Sequence, residues 1–227
     1  MPSPLLQSKL LRTEKPNLEM EVEIPIWQQE IKTAFRSADE LCRFLNVDLD
    51  EMGISAAAAK QFPLFVPRGF ASRMESGNST DPLLRQVLNV AQEEVVDAQF
   101  KVDPVGESQA DLAPGLLQKY AGRALLIVTG VCAVHCRYCF RRHFPYQSFQ
   151  QIGAAAGRWQ PALDAVRSDE SIHELLLSGG DPLVLTDDLL TELITMLENI
   201  PHLKRLRIHT RTPIVIPSRV TEALVNR

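Results

Sequence analysis

Three cysteines stand close together in the stretch Thr129 to Tyr146, which reads TGVCAVHCRYCFRRHFPY. Cys132, Cys136 and Cys139 are spaced C-x3-C-x2-C, with Tyr138 immediately before the third. Thiolates this near one another hold a metal or an iron–sulfur cluster; they do not make a four-thiolate zinc site or a disulfide framework. A cubane held by three cysteines leaves one iron open, and that iron can take a small molecule through an amino and a carboxylate group. Two other chemistries compete. A zinc site would recruit His135 or His143 as its fourth ligand, but structural zinc sites usually pair C-x2-C with a second, distant pair. A redox C-x-x-C of Cys136 and Cys139 would leave Cys132 without a use. The remaining cysteine, Cys42, lies far upstream in a helical pattern.

The elements that must position this loop come from the apolar pattern. Ala124 to Val128 (ALLIV) is a short continuous apolar run, as in a strand buried on both faces. Two more follow: Glu174 to Leu177, leading into Ser178-Gly179-Gly180-Asp181-Pro182, and Leu206 to Ile208, leading into His209-Thr210-Arg211-Thr212-Pro213, with Ile214 to Ile216 as a possible extension. Helical stretches separate them, about 153–167 and 186–199, and a last helix opens at Ser218 as N-cap. The order β-α-β-α-β-α predicts a parallel sheet with right-handed crossovers. Each strand ends in a polar or glycine-rich segment, which is where such folds carry their chemistry.

Upstream, the first ~26 residues are proline-punctuated and read as an extended arm. A helix is expected from near Trp27. Another is expected after the capping box Ser37-x-x-Glu40, with Leu41, Phe44 and Leu45 on one face. A third spans about 55–61 and stops before Pro63. Phe62 to Met74 reads as an irregular connector. Asp81-Pro82 sets an N-cap and an N1 proline for a further helix carrying Leu83, Leu84, Val87, Leu88 and Ala91. The chain thus divides into an arm and helical extension (1–115) and an α/β part (116–227).

At 227 residues, 45% hydrophobic and 23% charged, this is the composition of an ordinary globular protein. The net charge of −4 gives no general attraction for nucleic acid or an anionic membrane. No apolar run approaches the ~18 residues of a membrane span, and the first residues lack a signal-peptide core. A cytoplasmic protein with reduced thiols is expected.

C-x3-C-x-aromatic-C resembles the signature of the radical S-adenosylmethionine (SAM) enzymes. The segments around it narrow the likeness: Pro114-Gly115-Leu116, Lys119-Tyr120-Ala121-Gly122-Arg123, Phe140-Arg141-Arg142, Leu177 to Pro182, Ile200-Pro201-His202 and Arg207 to Pro213. In this order they resemble the lysine 2,3-aminomutase family, from about Phe62 onward. CAVHCRYCFRRHFPY is most similar to the branch that supplies (R)-β-lysine for elongation factor P.

The resemblance implies a TIM-like radical SAM (β/α) barrel, incomplete in this chain, and an isomerase that converts L-α-lysine to (R)-β-lysine. It implies a 4Fe-4S cluster, SAM and pyridoxal 5′-phosphate (PLP) as cofactors. Free lysine would be the substrate, a reductant protein a partner, and elongation factor P and its ligase the functional context. Carried over by position, Cys132, Cys136 and Cys139 bind the cluster. Ser178, Gly179, Gly180 and Asp181 approach the amino end of SAM. Tyr120 and Arg123 lie near PLP, and Arg141 pairs with the substrate carboxylate. Lys119 stands where relatives can carry arginine, and Ala121-Gly122 replaces a Pro-Asp pair common among them. His209 and Arg211 sit at a strand end within reach of SAM, and His135 and His143 are supporting or surface groups.

The family's PLP-anchoring lysine is expected downstream of Arg227, and none of the seven lysines here matches it, so no Schiff-base residue is assigned. Three parallel strands cannot close a barrel. The third is expected to present an open edge that leaves the chain alone poorly stable or self-associating. The alternatives are an aminomutase for another amino acid such as glutamate, and a non-catalytic cluster- or zinc-binding fragment.

Overall fold

The computed structural model describes residues 24–144, 157 and 159–227. Residues 1–23 of the arm therefore lie outside the described residues, as do Pro145, Tyr146 and the start of the helix expected at 153–167.

Three runs of strand sequence line up side by side: β3 (Arg123–Thr129), β4 (Glu174–Gly179) and β5 (Arg205–Ile208), paired parallel as the apolar runs predict. Two short strands add to them. β1 (Asp111–Ala113) and β2 (Leu116–Tyr120) join antiparallel, giving a linear order β1-β2-β3-β4-β5. The purely parallel expectation is corrected here. The Ala121-Gly122 turn folds β2 back on β3, and Gly122 takes a positive φ of 75° that favours glycine. β5 forms one edge of the sheet.

Alternation sorts each strand between two faces. Leu116, Ala124, Leu126, Val128, Leu175 and Leu177 form one core with α5 (Gln160–Ser168) and α6 (Asp187–Glu198). Thr186 caps α6 through its side chain. The opposite face carries Leu117, Leu125 and Ile127, then Ser178, and at the strand starts a charged layer. There Glu174 faces Arg123, Arg205 and Arg207 at 3.0, 2.9 and 2.7 Å.

A second core belongs to the helical extension: α1 (Ile26–Lys32), α2 (Ala38–Leu45), α3 (Ala56–Gln61) and α4 (Arg68–Ala71). It includes Trp27, Phe35, Leu41, Phe70 and Leu84, and reaches Ala133 and Val134 of the cysteine loop and Val215 and Ile216 beyond β5. The extension is thus packed against the ends of the strands that carry the cysteine and HTRTP loops.

Several local readings need correction. Ser37 occupies the N-cap of α2 in extended backbone, yet its side chain makes no capping bond, so the capping box is not formed. Phe62 to Met74 is less irregular than expected, because Val66 bridges Phe35 and α4 follows. The helix after Asp81-Pro82 shrinks to a single 3-10 turn, Leu84–Gln86, although Asp81 does accept from the Leu83 and Leu84 amides. Tertiary partners take the next backbone groups: Gln86 O accepts from Arg137 N at 2.7 Å, and Val90 bridges Ile54. Ile214 to Ile216 extends no strand; Thr212–Val215 forms the short helix α7. The last helix, α8 (Glu222–Val225), is capped by Thr221 and not by Ser218.

Candidate functional site

β3 ends at Thr129 and delivers the chain into the cysteine loop. The loop is tied down from both sides. Gly180 N donates to Thr129 O at 2.7 Å and Asp181 N to Val131 O at 2.8 Å, binding it to the loop after β4. His135 N donates to Phe65 O at 3.0 Å and Arg137 N to Gln86 O, binding it to the extension. A Cβ at Gly180 would sit 2.1 Å from Val131 O, so the second glycine of SGGD is needed for this backbone approach. Gly179, at φ 122°, would meet Thr129 O at 2.5 Å.

Cys132, Cys136 and Cys139 line one recess together with Tyr138, Arg141, Ser178 to Asp181 and Ile208 to Arg211. Its volume of about 570 Å³ lies within the range of small-molecule sites, about 300–1,000 Å³. Burial pushes the Cys132 thiol up to about 12; Cys139, Asp181 and Cys136 push the same way and Arg141 opposes them. Burial also raises Cys136, against the pull of Arg211. Thiolates in such surroundings call for a strong positive charge, which coordinated iron provides. Among the described residues, no three His, Cys, Asp or Glu side chains converge tightly enough for a single metal ion. Zn–S bonds of about 2.3 Å would bring tetrahedral sulfurs to roughly 3.8 Å of one another. Three thiols lining one recess, with neither His135 nor His143 among its lining residues, are a donor set that could hold a cluster with each cysteine on its own iron.

The two histidines are used otherwise. His135 stacks on Phe62 with centroids 4.9 Å apart, and its Nδ1 lies 2.8 Å from Pro63 O, so Nδ1 carries the proton. His143 is exposed, with Nδ1 3.4 Å from Gln61 Nε2.

Arg141 is buried and grips Glu107, with Nε at 2.8 Å and Nη2 at 2.6 Å from its oxygens, while Nη1 donates to Ser178 Oγ at 3.1 Å. The Asp181 carboxylate accepts from Leu183 N, Thr210 Oγ1, Arg211 N and Thr212 N at 3.0, 2.6, 2.7 and 3.0 Å, joining the loops after β4 and β5. Tyr120 and Arg123 lie at the other end of β3 from the cysteines. They share a smaller recess with Glu107, Lys119, Leu125 and Leu176. Tyr120 is exposed, and Arg123 is paired with Glu174. The two groups of predicted residues are thus not in one cavity; Glu107 borders the second and holds Arg141 of the first.

Three further residues position the site without any signal in their own segments: Glu107, Gln86 and Glu93. Glu93 takes the Arg137 guanidinium at Nε (2.9 Å) and Nη2 (2.5 Å), and also pairs with Arg142 at 2.6 Å. Of their partners, the sequence singles out Arg141 and Arg211 and not Arg137.

A family profile described as "4Fe-4S single cluster domain" matches residues 120–210. The chain is 52% identical over 200 residues to an L-lysine 2,3-aminomutase of Escherichia coli, covering 88% of this chain and 57% of that protein. Over these residues the chain is similar to the L-lysine 2,3-aminomutases. A relative named L-lysine 2,3-aminomutase from Haemophilus influenzae is 45% identical over 196 residues, with 86% of this chain and 57% of that protein covered. One from Clostridium subterminale is 32% identical over 200 residues, with 88% and 48% covered. The chain thus spans somewhat over half the length of the first two aminomutases. A match of 200 residues cannot fit between Phe62 and Arg227, so the aminomutase likeness reaches further upstream than the motifs suggested. No helix among the described residues is long and apolar enough to cross a membrane.

Proposed function

We propose that this chain carries the cluster- and SAM-binding part of a radical SAM lysine 2,3-aminomutase, an isomerase that converts L-α-lysine to (R)-β-lysine. The observation that carries the reading is the recess in which the three cysteines face SGGD, in a chain 52% identical to an L-lysine 2,3-aminomutase. A partial radical SAM barrel is the architecture it implies, with residues 116–227 as barrel and 1–115 as arm and extension.

In this reading Cys132, Cys136 and Cys139 hold a 4Fe-4S cluster. Ser178, Gly179 and Gly180 line the place for the amino end of SAM, and Asp181 keeps that loop against HTRTP. Arg141 is the group for the substrate carboxylate; a substrate taking that place would displace the Glu107 carboxylate that now holds its fork. Tyr120 and Arg123, with Lys119 beside them, are the groups offered to PLP. Bound together, cluster and SAM supply a hydrogen-abstracting radical and PLP supplies delocalisation, chemistry no side chain here provides. What the protein adds is placement and exclusion of water, through the buried Arg141–Glu107 pair and the loop ties described above.

The closeness of CAVHCRYCFRRHFPY to the elongation factor P branch supports β-lysine for that factor as the product's destination, with its ligase and a reductant protein as partners. Four free cysteines and an oxygen-sensitive cluster support a reducing compartment, the cytoplasm. The test is anaerobic reconstitution followed by reduction with SAM present. Release of 5′-deoxyadenosine by the wild-type chain and none by Cys136→Ser is the expected result. A wild-type chain that binds cluster and leaves SAM intact would overturn the assignment.

A further inference from the structure

Arg211 is anchored beside the cysteines through both its backbone and its side chain. Its amide is fixed on Asp181 Oδ2, and Thr212 N donates to the same oxygen. Its guanidinium reaches back across the recess in three directions. Nη1 faces Cys136 Sγ as its hydrogen-bond partner, Nη2 donates to Gln86 Oε1 at 2.9 Å, and Cζ lies 5.4 Å from the centre of the Tyr138 ring. Gln86 is itself held in place by Arg137 N on its carbonyl. Three separate parts of the chain, the extension, the cysteine loop and the loop after β5, therefore meet on one guanidinium, and one of its N–H groups faces the sulfur of Cys136.

Hydrogen bonds and positive charge at the sulfurs of an iron–sulfur cluster favour its reduced, more negative state and raise its reduction potential. Resting on the cluster reading above, we propose that Arg211 is a positioning residue for the cluster. It orients Cys136 and sets the cluster's reduction potential through its N–H···S bond, with Gln86 fixing the guanidinium and Tyr138 covering it. The motif's aromatic position thereby gains a physical use: its ring is the surface against which this cation rests.

The test is potentiometry of the full chain reconstituted with iron and sulfide, followed by the electron paramagnetic resonance signal of the reduced cluster. Arg211→Met is expected to retain iron and to make the cluster harder to reduce at least tenfold at a fixed potential, a midpoint shift of about 59 mV to more negative values for one electron. Arg211→Lys, which keeps a donor and the charge but loses the fork, should fall between the two. Gln86→Leu leaves the guanidinium but frees it, and should shift the midpoint in the same direction by less. An Arg211→Met protein with full iron and an unchanged midpoint overturns the proposal. Should that variant lose iron, Gln86→Leu decides, and a wild-type midpoint there overturns it equally. A wild-type chain that takes up no iron would overturn the cluster reading itself, which is a different result from an unmoved midpoint.

Discussion

Replacing Gly180 by alanine adds one methyl where the structure has no room. The new Cβ would lie 2.1, 2.5 and 2.7 Å from Val131 O, C and N. These are backbone atoms one residue from Cys132, so no flexible side-chain tip can move aside. Gly180 has no positive φ, and the penalty is therefore one of space alone. Relief requires the loop after β4 to move away from the cysteine loop. That loosens the Gly180 N–Thr129 O and Asp181 N–Val131 O bonds of 2.7 and 2.8 Å. Overpacking of this kind costs about 1–3 kcal/mol, and two weakened backbone bonds add about 1 kcal/mol each at most. A loss of roughly 3 kcal/mol is expected in denaturant melts, with reduced iron retention after reconstitution. Gly69→Ala is the control, because its Cβ would meet only the tip of Glu30, at 3.0 Å; it should stay within about 1 kcal/mol of wild type. A Gly180→Ala protein that melts like wild type and binds the same iron would refute the claim that these two loops are locked backbone to backbone.

Other consequences follow from the buried charges. The Arg205 and Arg207 hydrogen bonds, with Arg123 adding, hold the Glu174 carboxyl down from its ordinary 4.5 to about 2. A lowered folded pKa means stability present above the unfolded value and lost as pH falls, so this contribution should fade between about pH 4.5 and 2. Glu174→Gln should flatten that part of the stability curve, and an unchanged slope in the variant would contradict the assignment. Arg137→Met strips Glu93 of its bidentate partner and removes the side-chain donor to the Phe62 carbonyl, while the Ala58 carbonyl keeps Phe62 N. Breaking a buried pair costs about 3–5 kcal/mol. Faster amide exchange at residues 132–142 should accompany the loss, and wild-type protection there would count against the clamp. Glu107→Gln keeps the shape of the Arg141 contact but removes its charge, so binding of a free carboxylate such as lysine's should strengthen severalfold by calorimetry if Glu107 competes for that arginine. No change would mean that it does not.

What the sequence made legible follows from what burial writes into it. ALLIV and Leu175 to Leu177 are apolar because α5 and α6 cover one face and Leu117, Leu125 and Ile127 line the other, so those two parallel strands and their chemistry-bearing ends could be read directly. LLQKY is only half buried and five residues long, and its pairing with β3 depends on a turn at Gly122 that no periodicity announces. The helix after Asp81 carried correct start signals and failed to propagate, because Gln86 and Val90 found better partners across the fold. Glu93, Glu107 and Gln86 stand in polar segments without a pattern. Their use appears only once Arg137, Arg141 and Arg211 are seen to arrive beside them.

The central claim is that three cysteines hold a cluster with one iron left open to SAM. Mössbauer spectroscopy of the wild-type chain reconstituted with ⁵⁷Fe, recorded with and without SAM, tests it most directly. The account predicts four irons per chain, with the signal of one alone changing when SAM is added. Zinc in place of iron, or a spectrum that SAM leaves untouched, would contradict it.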